Sequence, residues 1–186
     1  TGSFAGLDFA ELGADIGIDP SALAGLQEEA TGRLLSIPHL HDGRAHLLKL
    51  TPPEYPHLVE NEAYFLDVAR RLRQRVVQAE VVHVRAGRAG LLVTRFDPVA
   101  AVMALHRLAV EDAGQLLGRY PADKYAVTTE AVIGVVSRLC AASIPAAHAV
   151  LQQVALAWVT GNGDLHAKNV AVLATAPGAA EWRVAP

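Results

Sequence analysis

Asp164 and Asn169 stand five positions apart in Gly161-Asn162-Gly163-Asp164-Leu165-His166-Ala167-Lys168-Asn169, directly after a helix-like apolar run. In kinases that spacing serves phosphoryl transfer: the aspartate orients the attacking hydroxyl and accepts its proton, and the asparagine holds a magnesium ion bridging the nucleotide phosphates. The Gly-Asn-Gly ahead of Asp164 tolerates a tight left-handed turn, so the carboxylate can leave its helix on a loop instead of pointing into a core. Taken alone, the spacing suits a solvated Asn-Gly-Asp surface turn equally well.

Lysine usage narrows the choice. The chain has 13 Arg and only three Lys, at positions 49, 124 and 168, and Lys168 lies inside the loop just described. Lys49 sits in the β-prone run Ala45-His46-Leu47-Leu48-Lys49-Leu50, which Thr51-Pro52-Pro53 ends. Period-two alternation puts Leu48 and Leu50 on one face and Lys49 on the other. From an interior strand such a lysine reaches the α- and β-phosphates of a nucleotide, whereas on an edge strand it guards against aggregation.

The elements that must hold these groups follow from periodicity. Residues 61–73 read as an amphipathic helix, with Phe65, Leu66, Ala69 and Leu72 on its apolar face and Asn61 as its cap. Glu62 borders that face, so it needs a partner, and Lys49 on the preceding strand is the economical one. Alternatively Glu62 only complements the N-terminal helix dipole. Strands are expected at 32–37, 45–50, 80–85 and 90–95, the last two joined as a hairpin through Ala86-Gly87-Arg88-Ala89. After Asp97-Pro98 the pattern turns helical, at about 111–118, 130–142 and 146–160, with Leu156 and Trp158 assigned to the core and a short hairpin at 169–174 and 181–184 closing the chain. The division is therefore 1–97 as a β-rich nucleotide-binding lobe and 98–186 as a helical lobe with its loop at 161–169.

Together these residues resemble the HipA-like serine/threonine kinases, the toxin components of bacterial toxin–antitoxin pairs, from about Ser21 to Pro186. Ala24-Gly25-Leu26-Gln27-Glu28 is similar to that family's phosphate-covering loop, Leu48-Lys49-Leu50 to its lysine strand and Asn61-Glu62 to its Asn-Glu helix start. Val93-Thr94-Arg95-Phe96-Asp97 resembles its hinge, where Thr94, Arg95 and Phe96 would meet adenine. Glu111 to Gln115, then Gly118 and Lys124-Tyr125, resemble a stretch absent from ordinary protein kinases. Gly163-Asp164 through Asn169 matches the catalytic loop, in which His166 and Lys168 would orient the loop or contact phosphate.

The chain departs from the family in two places. Glu29 stands where lysine usually ends the phosphate loop, and Ala22 stands at the position of a serine that can be autophosphorylated, with Ser21 one place out of register. The chain begins without Met, Thr1 to Asp19 holds only a Gly-interrupted apolar segment where the family's small N-terminal subdomain would be expected, and in the family an Ala-Pro like Ala185-Pro186 leads within a few residues to the aspartate that is the second magnesium ligand, so a fragment of a longer protein is expected. The expected fold is thus an α+β, two-lobed, protein-kinase-like fold whose helical lobe is truncated at the C-terminus, and the chain as given is expected to be catalytically inactive.

Composition fits a globular domain. The 186 residues are 52% hydrophobic and 19% charged, with a net charge of −3 that gives no sign of a nucleic-acid-binding surface. The apolar runs are too short for a membrane span and the start lacks a signal pattern, so a cytoplasmic location is expected. Cys140 is the one cysteine, which excludes a disulfide framework and suits a small buried hydrophobe. His39, His41 and His46 flank a Pro/Gly/Asp-rich turn without acidic or thiol partners, a poor zinc set.

The resemblance implies ATP-dependent transfer of phosphate to a protein serine or threonine, arresting growth, with Asp164 as base, Asn169 as magnesium ligand and Lys49, held by Glu62, on the phosphates. It further implies a protein substrate such as an aminoacyl-tRNA synthetase and a helix-turn-helix antitoxin partner. A small-molecule phosphotransferase, which also uses Asp with Asn five residues on, and a degraded kinase fold kept as a binding module remain the alternatives.

Overall fold

The computed structural model describes residues 35–41, 44–50, 56–83, 89–97 and 107–186. The chain divides into two compact units, one of residues 1–71 with 76–95 and the other of residues 72–75 with 96–186. The expected phosphate loop, Ala24 to Glu28, lies outside the described residues, as do Ser21 and Glu29.

The first unit is an antiparallel sheet in the order β1-β2-β4-β3, made of β1 (Leu35–His41), β2 (Arg44–Leu50), β3 (Ala79–His83) and β4 (Ala89–Thr94). β2 therefore lies inside the sheet, and Lys49 is on an interior strand. Its alternation is realised: His46, Leu48 and Leu50 are buried on one face. On the other face Leu47 pairs with Val93 and Lys49 with Leu91, and directly opposed residues share a face. Leu91 and Val93 form a buried cluster with Val59 of helix α1 (Leu58–Arg71), against which Leu47, Ala63 and Leu66 pack. Helix α1 thus covers the face of the sheet that carries Lys49.

Helix α1 begins three residues earlier than periodicity suggests. His57, with φ of 70°, turns the chain into it, and Asn61 N–H donates to His57 O at 2.9 Å, so Asn61 lies inside the first turn and is not the cap. The fully buried Val59 belongs to its apolar face, whereas Leu72 lies beyond its end and is exposed. Glu60 near its start and Arg70 and Arg71 near its end complement the helix dipole, and Asp67 pairs with Arg71 at 2.8 Å.

The second unit packs two helices, α3 (Thr129–Leu139) and α4 (Ser143–Val159), with a small antiparallel sheet of β5 (Val110–Asp112), β6 (Ala171–Ala174) and β7 (Trp182–Val184) in that order. Thr128 caps α3, its Oγ1 accepting from Ala131 N at 3.2 Å. The core joins Val132, Val136 and Cys140 to Val150 of α4 and to Val172 and Val184 of the sheet. The helix expected over 111–118 is instead strand β5 followed by the four-residue helix α2 (Ala113–Leu116). Strand pairing with β6 takes Glu111 and Asp112, and Asp112 then caps α2, with reciprocal bonds to Gln115 of 2.8 and 2.9 Å. Trp158 is not in the core: its side chain is 84% exposed.

Candidate active site

One candidate group, within the first unit, is the lysine on β2. Register puts Lys49 under α1, and Glu62 lies one turn from the buried Val59 on the same side of the helix. The two meet as an ion pair, Lys49 Nζ to Glu62 Oε1, at 2.7 Å. Both remain a quarter to a third exposed, so the ammonium keeps two further donors within reach of solvent or ligand. Of the expected adenine segment, Thr94 ends β4 and its N–H donates to Gln78 O at 2.8 Å, while Arg95 N–H donates to Ala45 O at 2.9 Å. Those two amides are engaged within the sheet edge, so an adenine contact from them would have to come through their carbonyls. Phe96 belongs to the second unit and is partly exposed.

A second candidate group, within the second unit, is the loop after α4. Gly161, at φ of 69°, closes the helix: Asn162 N–H reaches back to Ala157 O at 2.8 Å and Gly161 N–H to Trp158 O at 3.3 Å, the paired bonds of a Schellman end. Asn162 then folds over, its Oδ1 accepting from Asp164 N at 3.0 Å, an Asx-turn that fixes the backbone under the carboxylate. Asp164 Oδ1 accepts from Tyr125 Oη at 2.5 Å. Asp164 thus stands half-buried on an ordered loop, as the left-handed turn at Gly-Asn-Gly requires.

His166 is buried, its ring edge-on to Tyr125 with centroids 5.1 Å apart, a position that packs the loop against the segment ahead of α3. Asn169 is exposed, and its Oδ1 accepts from His166 N at 3.0 Å while Asn169 N–H donates to His166 O at 2.9 Å. Lys168 is half-buried beside Gly114: a Cβ at 114 would lie in ordinary contact with Lys168 Cγ at 3.6 Å and tightly against the capping Asp112 Oδ1 at 3.0 Å. The backbone continues the seam, with Ala167 N–H donating to Lys124 O at 3.2 Å and Ala113 N–H to Val170 O at 2.8 Å.

The donor set for magnesium is incomplete among the described residues. Asn169 offers one neutral oxygen already engaged by the loop's own amide, and no group of three or more His, Cys, Asp or Glu side chains is placed to hold a metal ion. Magnesium takes an octahedron of oxygens and in kinase sites relies on carboxylates together with substrate phosphates.

Two groups at this site were not assigned a role from sequence. Asn162, two residues before Asp164, carries an Asx-turn signature that could have been read. Tyr125 had no local signal, since it acts on a residue 39 positions away.

The fold and the paired lysine–glutamate and aspartate loop define a kinase-like protein. The chain belongs to the HipA-like C-terminal domain family, whose model matches residues 21–186. Its fold is similar to HipA in the complex of the Shewanella oneidensis MR-1 toxin–antitoxin system HipA and HipB with operator DNA, with a TM-score of 0.75 at 21% identity over 97% of this chain and 48% of that one. It is also similar to the Helicobacter pylori proinflammatory kinase CtkA, with a TM-score of 0.64 at 16% identity over 91% of this chain and 55% of that one. Among sequences it is 30% identical over 144 residues to "Putative kinase Y4mE" of Sinorhizobium fredii (strain NBRC 101917 / NGR234), which covers 75% of this chain and 34% of that protein. A second protein of that strain, "Putative kinase Y4dM", is 28% identical over 169 residues, 80% of this chain and 39% of its own length. The chain thus spans between a third and two-fifths of the curated relatives it matches and about half of the two solved structures. No helix among the described residues is long and apolar enough to cross a membrane.

Proposed function

We propose that this chain carries the lysine strand and catalytic loop of an ATP-dependent serine/threonine protein kinase. The observation that carries the reading is the 2.7 Å pair between Lys49 and Glu62, residues 13 apart, in a chain that also holds Asp164 on a hydrogen-bonded loop. An ammonium fixed by a helix glutamate on an inner strand is suited to the nucleotide phosphates. In the proposed reaction the acceptor hydroxyl oxygen forms a bond to the γ-phosphorus, the bridging oxygen leaves with ADP, and the hydroxyl proton passes to Asp164. Lys49 holds phosphate oxygens, the Thr94 to Phe96 segment lies against adenine, and Lys168 adds positive charge beside the loop. Magnesium, when bound, supplies charge neutralisation on the phosphates, and Asn169 is the residue here that would contribute an oxygen to it.

The acceptor we infer is a protein hydroxyl, with an aminoacyl-tRNA synthetase as the substrate class, growth arrest as the outcome and a cytoplasmic setting. A helix-turn-helix antitoxin is the proposed partner, supported by the presence of HipB with HipA in the Shewanella complex. The test is Asp164→Asn in the intact gene product, followed by radiolabel transfer from ATP to a protein acceptor. Folding and ATP binding should persist while transfer falls by at least about a hundredfold, the contribution of a positioned acid–base group. Near-normal turnover would remove Asp164 from this role, and ATP binding by the wild type without any transfer would favour a binding module.

A further inference from the structure

Asp164 has two points of attachment and they control different freedoms. The bond from its own N–H to Asn162 Oδ1, at 3.0 Å, fixes where the residue leaves the backbone. It leaves the two side-chain torsions open, and those decide where the carboxylate oxygens point. The 2.5 Å bond from Tyr125 Oη to Oδ1 closes that freedom. It occupies one oxygen and leaves Oδ2 as the one to receive a proton from an acceptor hydroxyl.

Tyr125 is itself held by the loop that it orients. Its ring meets the buried His166 edge-on at an interplanar angle of 80°, Lys124 Nζ lies 5.1 Å from its centroid, and Lys124 O accepts from Ala167 N at 3.2 Å. The segment 124–125 and the loop 164–167 therefore form a closed circuit of contacts within one compact unit. The tyrosine side is 57% exposed, so its hydroxyl has water as an alternative partner and the bond does little for folding. A contact that adds little stability but fixes a reacting group acts on geometry.

We infer that Tyr125 is a positioning residue that aims the Asp164 carboxylate at the acceptor hydroxyl. The inference rests on the reading of Asp164 as the base. Displacement of a reacting group by about 1 Å costs on the order of a hundredfold in rate, and Asn162 continues to hold the backbone when Tyr125 is altered. Loss of the hydroxyl is therefore expected to cost about tenfold or somewhat more in kcat.

The experiment compares the intact gene product with Tyr125→Phe, Asp164→Asn and the double variant, by steady-state transfer kinetics with thermal unfolding alongside. Tyr125→Phe keeps the ring against His166 and Lys124 and removes one oxygen. The expected result is a kcat lower by about tenfold or more, KM for ATP within about twofold of wild type, and no further loss when the change is added to Asp164→Asn. A Tyr125→Phe kcat within about twofold of wild type, with Asp164→Asn inactive, overturns the inference and leaves the base assignment standing. Turnover by Asp164→Asn overturns the base assignment itself. Where Tyr125→Phe does not fold, Tyr125→Gln, which restores a donor without the ring, is compared with Tyr125→Ala: a higher kcat for Gln supports the inference and equal values overturn it.

Discussion

Lys49→Met keeps an unbranched, flexible side chain on β2 and removes the ammonium that meets Glu62 at 2.7 Å. Two unit charges about 4 Å apart attract by roughly 1 kcal/mol in water and about 4 kcal/mol at an effective dielectric of 20. With side-chain exposures of 26% and 32% the pair lies between those regimes, and ordering two long side chains offsets up to about 2 kcal/mol each. A net contribution of about 1 kcal/mol follows, at the upper end for partly exposed pairs. If Glu62 serves to position Lys49, Glu62→Gln weakens ATP binding by that amount, about fivefold. Lys49→Met removes a charge-assisted bond to phosphate, about 1.5 to 3 kcal/mol, so its loss is tenfold to roughly 150-fold. The double variant should bind ATP no more weakly than Lys49→Met alone, because Glu62 acts only through the lysine. Calorimetric titration of the intact gene product with ATP measures all three, and thermal unfolding should show each variant within about 1 kcal/mol of wild type. Losses that simply add would refute the coupling, and wild-type affinity in Lys49→Met would refute the phosphate role.

The packing of the second unit is tested by two changes on α4. Val150→Ala empties part of a fully buried site between α3 and α4 and should cost about 2 to 3 kcal/mol in urea unfolding, whereas Trp158→Ala on the exposed side should change stability by less than about 0.5 kcal/mol. Equal losses at the two positions would contradict the facing of α4. Burial pushes the Cys140 thiol above the ordinary thiol range. Both folded and unfolded chains keep that proton below about pH 8, and as pH rises past the unfolded value the unfolded chain releases it first, so this group's contribution to stability declines from there up to the folded pKa. A thiol reagent at about pH 8 should accordingly label the native protein slowly and the urea-unfolded chain quickly, and rapid native labelling would contradict the burial.

The lysine–glutamate pair was legible because each partner announces itself by periodicity. Lys49 breaks an apolar run on the face opposite Leu48 and Leu50, and Glu62 interrupts the border of a helical stripe. What periodicity missed is what tertiary contacts decide. Val110 to Asp112 make too short a run to show alternation, and become a strand only because β6 lies beside them. The start of α1 is set by the positive φ of His57, which no capping residue signals, so the helix takes in Leu58 and Val59 and leaves Asn61 in its first turn. Helix α4 is apolar around most of its circumference, with Val150 buried and Ile144, Leu151 and Trp158 exposed at seven-residue intervals on another side. Hydropathy cannot choose between two apolar faces, so Trp158 was placed in the core although it faces out.

The loop after α4 shows the same division between local and distant control within a few residues. Where Asp164 emerges is set locally, by the Schellman end of α4 at Gly161 and by the Asx-turn of Asn162. Where its carboxylate points is set from a segment 39 residues earlier, through Tyr125. That segment belongs to a larger bed: β5 pairs with β6 directly after the loop, Asp112 caps α2, and Gly114 lies against Lys168 and Ala167. Most of Glu111 to Tyr125 therefore contributes geometry to the loop without a reactive group of its own. An Asp and an Asn at kinase spacing leave the orientation of both side chains open; in this chain the loop's own His166 amide holds Asn169, and a separate stretch holds Asp164.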